Sequence, residues 1–185
     1  MSDLVRLSWS ERRKLKKALK SAGAIPDAPS SSPSAAGECM RVLLRVTEQI
    51  RHEWVYWYAL GDYCQGLGFF DTALSAYCCC YHLRPEDPRS IYALATAFER
   101  MSQTDPLKNW GAGGATTTSL GFGAEASAAA AIHYFTKTLK YVKGKDAKTV
   151  RKNIGALEEE FPVLKRGLTV DLLAAPLQYV QQHGP

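Results

Sequence analysis

No apolar run in this chain approaches the roughly 20 residues that a membrane-spanning helix needs. Even the Ala-rich stretch 126–135 is cut by His133. The start has no apolar core of a secretory signal and no small-residue cleavage site, which makes a reducing compartment, nucleus or cytoplasm, the expectation. Arg and Ser near the start also fit a mitochondrial presequence, but Asp3 and Glu11 weigh against it and leave it the lesser alternative. Cysteine is odd in number, with three in direct succession, Cys39, Cys64, Cys78, Cys79 and Cys80, and a CxxC pair is lacking. That excludes a disulfide-stapled mini-protein and points to reduced thiols. Excess charge is missing from most of the chain. Its 23 Lys and Arg exceed its 18 Asp and Glu by a net +5. Residues 1–20 alone hold Arg6, Arg12, Arg13, Lys14, Lys16, Lys17 and Lys20 against Asp3 and Glu11, so the remainder is neutral. Nucleic acid is therefore not an expected partner except through residues 1–20.

What is present is ordinary globular material: 185 residues, 46% hydrophobic and 22% charged, enough for one compact domain with a tail. Residues 1–21 read as a basic amphipathic arm. Within it a short helix over 8–21 has Ser8 and Glu11 at capping-box spacing and Leu15 and Leu19 as a thin apolar stripe. Residues 22–37 hold three prolines, four serines and five alanines, a linker composition. A helical domain is expected over 38–161, opening with a helix from Glu38 to Arg51. Residues 162–185 are expected to form a C-terminal helical segment with Thr169 as N-cap and a kink at Pro176.

From Glu53 onward the pattern changes. Trp57, Leu60, Gly61, Gly68, Ala73, Tyr77 and Pro85 divide the stretch into two antiparallel helices and a stop, with Gly66-Leu67-Gly68 as the turn. A second copy begins 34 residues later, Trp57 being answered by Ile91, Leu60 by Leu94, Gly61 by Ala95 and Cys64 by Phe98. Such a period is the mark of a helix–turn–helix solenoid. The second copy is interrupted by 102–125, a stretch with five glycines and a Thr/Ser run. The apolar pattern resumes with Ala131 and Phe135 in the places of Ala73 and Tyr77. A further helix is expected over 146–161, ended by Pro162.

The residues Trp57, Leu60, Gly61, Gly68, Ala73, Tyr77 and Pro85 resemble a tetratricopeptide repeat (TPR), with Cys64 and Cys80 standing where that family usually has an aromatic and an alanine. Residues 57–61 (WYALG), 83–89 (LRPEDPR), Ala93-Leu94 and 98–101 (FERM) further resemble the repeats of the subunit 8 type scaffold of the anaphase-promoting complex. That resemblance covers roughly residues 54–101 and, weakly, 129–141. It implies an all-α, short TPR-type solenoid; the interrupted period adds one long Gly-rich insertion loop at 102–125, and a core of only two repeats calls for flanking capping helices, 38–51 and those after 145. The resemblance also implies a non-catalytic building block of a nuclear ubiquitin ligase, partnered by other protein subunits that include TPR subunits. The repeat-packing positions would be Trp57, Leu60, Gly61, Ala73, Tyr77, Pro85, Leu94, Phe98, Ala131 and Phe135. The concave groove would be lined by Tyr58, Asp62 and Gln65 from the first copy and by Arg89, Tyr92, Thr96, Glu99 and Arg100 from the second. Tyrosine and arginine are the residues that most often dominate protein-binding surfaces.

Chemistry beyond binding finds little support in the residues. Consecutive helical positions point roughly 100° apart, so Cys78-Cys79-Cys80 with Cys64 and His82 cannot converge on one tetrahedral ion. The segment 111–119 (GAGGATTTS) is glycine-rich but lacks the lysine and the preceding strand of a phosphate loop. His52-Glu53 does not open a zincin motif, because Tyr56 holds the place of the second histidine. No nucleophile–base set emerges. The expectation is a non-enzyme with no cofactor, no metal and no small-molecule substrate. An Asp at position 62 would repel a peptide carboxylate, which disfavours a chaperone-tail receptor. The alternative reading is an RNA-associated or organelle-assembly factor that uses the basic arm.

Overall fold

The computed structural model describes residues 7–21, 41, 44–103 and 122–184. The expected linker at 22–37, Cys39 and most of the expected insertion loop lie outside the described residues. The described chain is all-α, an array of helix–turn–helix pairs with further helices at either end. In chain order the helices are α1 (Trp9–Ser21), α2 (Trp54–Gly66), α3 (Phe70–Leu83), α4 (Pro88–Ser102), α5 (Ala124–Thr138), α6 (Gly144–Glu160) and α7 (Val170–Gln182), with a 3-10 turn at Pro162–Arg166. Residues 44–49 are also helical. No helix among the described residues is long and apolar enough to cross a membrane.

The first pair forms as its punctuation dictates. After α2 the chain reverses through residues 67–69, where Gly68 takes φ 84°, the left-handed region that a side chain disfavours. The Phe69 N–H then donates to the Cys64 carbonyl at 2.9 Å and closes the turn. The two helices approach closely at Gly61, whose bare Cα faces the Tyr77 ring. Cys64 and Cys80 are small enough to leave that approach open, and both are fully buried. The Cys80 thiol donates to the Trp54 carbonyl at 3.4 Å.

The second pair starts on a strong signal. Asp87 caps α4, its side chain accepting from the Arg89 N–H at 2.9 Å, and Pro88 fills the first helical position, where no N–H is required. The sequence 102–125 is not all loop. Ser102 still belongs to α4, α5 already begins at Ala124, and Phe122 packs on Phe98 and Tyr179 with ring centroids 6.2 and 5.6 Å away. The core is continuous across both pairs: Leu60, Ala73, Tyr77, Leu94, Phe98, Ala131 and Phe135 are buried. Trp57 is half-buried and anchors the preceding segment by donating its Nε1–H to the Arg51 carbonyl at 2.9 Å, whereas Pro85 is exposed in the turn.

The flanking helices fold onto the array instead of trailing from it. The Ser8–Glu11 capping box forms, with the Ser8 N–H donating to Glu11 Oε2 at 2.6 Å and the Glu11 N–H to Ser8 Oγ at 3.3 Å. Leu7 and Leu15 lean on the core. Residues 162–184, expected as a C-terminal helical segment, pack back on the second helix of each pair. The Tyr179 and Ser75 hydroxyls lie 2.8 Å apart, and His82 Nε2–H donates to the Val180 carbonyl at 2.6 Å. Thr169 caps α7, accepting from the Leu172 N–H at 3.4 Å, and Pro176 sits buried inside the helix.

Candidate functional site

The first helix of each pair, α2 and α4, carries the residues expected to line a groove. The structure separates them into a buried layer and an accessible one. Tyr58 is only 5% exposed and Tyr92 only 9%. Neither presents its ring to an incoming partner, contrary to the expectation that both stand on an open wall. Tyr58 is wedged between Trp54 and Tyr77, with centroids at 5.7 and 6.0 Å. Tyr92 packs on Phe135 at 5.5 Å, and its hydroxyl accepts from the Asn153 amide of α6 at 3.2 Å. Burial pushes both phenols above their ordinary range. Helix α6 lies over Tyr92, and two repeats alone supply no such cover.

The accessible layer consists of Asp62 and Arg100, both exposed, and Gln65, Thr96 and Glu99, half-buried. Thr96 is internally satisfied, its hydroxyl donating to the Ala93 carbonyl at 2.8 Å. Gln65 is not: among the described residues its side-chain oxygen is shut off from solvent and accepts no hydrogen bond. A shielded carbonyl left without a donor is costly. Partial burial raises the Asp62 carboxyl above its ordinary value although the residue as a whole reaches solvent. The Glu99 carboxyl is raised by desolvation first and by Glu160 second, against a lowering from Arg100. Two carboxyl groups on this face are thus held where ionisation is disfavoured.

At the end of the face where α2 begins and α4 begins, charge is concentrated. Arg89 lies over the Trp54 ring, its guanidinium carbon 4.5 Å from the centroid, and Arg84 approaches the same ring at 5.0 Å. Asp87 accepts from Arg89 at 3.2 and 3.0 Å. Glu11 of α1 receives both terminal nitrogens of Arg89, at 2.9 and 3.3 Å. A shallow depression open to solvent lies beside this cluster, lined by the residues from Arg84 to Arg89. Burial would raise the Glu11 carboxyl, but hydrogen bonds from Arg89 and Ser8 and the guanidinium charge bring it below its ordinary value. Arg89 responds in the opposite sense. Burial would lower it, and its bonds to Asp87 and Glu11 hold it above the usual arginine range. Sequence reasoning missed Trp54, Asp87 and Glu11 as members of this corner; the capping spacing of Glu11 was visible, its second partner 78 residues away was not.

The thiols sit outside the accessible face. Cys64, Cys78, Cys79 and Cys80 are buried and unpaired. Burial pushes Cys64 and Cys79 up to about 11 and raises Cys78 and Cys80 further, so none is a thiolate at neutral pH. Among the described residues, no three His, Cys, Asp or Glu side chains come together as a metal site would need. No family model matches the chain, and neither the curated proteins nor the solved structures include one significantly similar to it.

Proposed function

We propose that this protein is a non-catalytic scaffold of the tetratricopeptide-repeat kind. It would bind another protein across the face that Asp62, Gln65, Thr96, Glu99 and Arg100 share. The observation that carries this reading is the energetic state of that face. Asp62 and Arg100 stand exposed there beside half-buried Gln65, Thr96 and Glu99, and desolvation raises the Asp62 and Glu99 carboxyl groups, which a partner supplying donors would offset. Kinship with the repeat family is supported by the Gly61–Tyr77 approach and by the core positions of Leu60, Ala73, Leu94 and Phe98. The resemblance of residues 54–101 to the subunit 8 type scaffold favours the anaphase-promoting complex as the assembly, in the nucleus.

The test is a native pull-down of the tagged chain beside an Asp62→Arg, Arg100→Glu variant, with partners identified by mass spectrometry. Both positions are exposed, so the variant should keep its helical circular dichroism. Co-purification of a large ubiquitin-ligase assembly, lost in the variant, is the expected result. Recovery of unrelated proteins equally by both forms would overturn the reading. A second reading, contact with RNA, draws on one observation: Arg12, Arg13, Lys14, Lys16 and Lys17 are all exposed on α1. It would show instead as capture that collapses between low and moderate salt.

A further inference from the structure

Helix α1 presents two different faces. Leu7, Glu11 and Leu15 are half-buried against the array, while Arg12, Arg13, Lys16 and Lys17 point to water. Among the described residues, the inner face is held by few contacts. Glu11 bridges Arg89 through two hydrogen bonds, and Lys14 pairs with Glu53 at 3.8 Å in a largely solvated geometry that contributes little. Leu7 and Leu15 pack against the core beside them. The chain between α1 and the array, residues 22–37, is rich in Pro, Ser and Ala. A carboxylate seated on a guanidinium that itself lies over an indole is the arrangement expected of a ligand in a receptor. Here the ligand belongs to the same chain.

We infer that the Trp54–Arg89 corner is a receptor site for an acidic side chain of a partner protein, and that Glu11 of α1 occupies it in cis until displaced. The occupant is chosen by chemistry. Arg89 offers two parallel N–H donors in the fork geometry that matches a carboxylate. Asp87 already fixes the other side of the guanidinium, and Arg84 adds positive charge at the rim. The open, shallow surface formed by Arg84 to Arg89 leaves the partner's flanking residues unobstructed beside the bound carboxylate. Tethering gives α1 a high effective concentration at the corner, so a partner in trans competes at a disadvantage set by that tether. The inference rests on the scaffold reading and deepens it, by adding a gate to one end of the binding face.

Glu11 also closes the capping box, and glutamine serves that second role as well as glutamate does. Glu11→Gln therefore removes the charge from the corner while leaving the start of α1 intact. The probe is a fluorescein-labelled synthetic peptide of residues 7–21, titrated against the full chain and followed by anisotropy. With the cis carboxylate neutralised, the labelled peptide should bind the Glu11→Gln chain about tenfold more tightly than the wild-type chain. An Arg89→Gln change added to that chain should abolish the gain, and a labelled peptide carrying the same Glu→Gln change should show none. Equal affinity for wild type and Glu11→Gln, or binding that survives Arg89→Gln, would overturn the inference. Circular dichroism on each variant separates loss of the site from loss of the fold. A silent peptide beside a successful pull-down removes the gate alone. The converse removes the scaffold reading and leaves the cis contact standing.

Discussion

Gly61→Ala is the sharpest probe of how closely the first pair is packed. A methyl built on Gly61 stands 2.6 Å from Tyr77 Cδ1 and 2.8 Å from its Cζ, and closer still to Cε1. The ring cannot swing aside freely, because Tyr77 is buried and tilted against Tyr58 at 6.0 Å. Overpacking of this kind costs about 1–3 kcal/mol. Alanine returns about 1 kcal/mol of helix propensity over glycine. Contacts this short place the overpacking at the upper end, about 2–3 kcal/mol, so the net loss should be about 1–2 kcal/mol, which lowers Tm by roughly 2–8 °C in a domain of this size. Thermal melting followed at 222 nm reads it directly. Gly66→Ala is the matched control, since nothing lies within 4 Å of its added methyl and its φ is not left-handed. It should leave Tm unchanged or raise it slightly. Against a Tyr77→Leu background, Gly61→Ala should lose most of its cost, because the ring it strikes is gone. If Gly61→Ala is as harmless as Gly66→Ala in the wild-type chain, the close approach of α2 and α3 is wrong.

Two further outcomes concern the last helix and a half-buried histidine. Tyr179→Phe deletes the hydroxyl paired with Ser75, which should cost about 1 kcal/mol and raise amide hydrogen exchange along α7 before it does so in α2 or α3; uniform exchange across the helices would refute that order. His133 is half-buried beside Tyr134, and burial first, then Lys137 and Lys140, lowers its pKa below 6.5. The unfolded chain therefore takes up this proton at higher pH than the folded one does. Stability contributed here is present above pH 6.5 and is lost as pH falls toward the folded value. Urea titrations of wild type and His133→Gln between pH 5 and pH 7.5, roughly spanning that range, should diverge only on the acid side; parallel curves would show that the ring does not titrate differently on folding.

Much of the array was written in local signals. The turn at Gly68 needs a residue tolerant of left-handed backbone, and glycine at that place announced it. Asp87-Pro88 marks the start of α4 by two independent preferences, a capping side chain and a residue without an N–H. The Ser8–Glu11 spacing foretold the capping box because both partners lie within one turn. What could not be read was contact between elements far apart in the chain. Nothing in the spacing of Glu11 hints at Arg89, and nothing in the terminal segment hints that Tyr179 reaches Ser75. Tyr58 and Tyr92 show the same gap from the other side. Their positions on α2 and α4 were legible, but their exposure depends on neighbours such as Tyr77 and Asn153, which periodicity does not supply.

The return of α7 onto α3 alters how the molecule can come apart. In an open array each pair touches only its neighbours, so ends can fray one unit at a time. Here Ser75 meets Tyr179 across 104 positions of chain, and His82 meets Val180 across 98. The last helix is a clasp that ties the far end of the chain to the first pair. Denaturation should proceed as one concerted transition, and refolding should be slow for a helical protein, because a long loop must close before the clasp adds its contacts. A nascent chain would hold this fold only loosely until α7 has emerged.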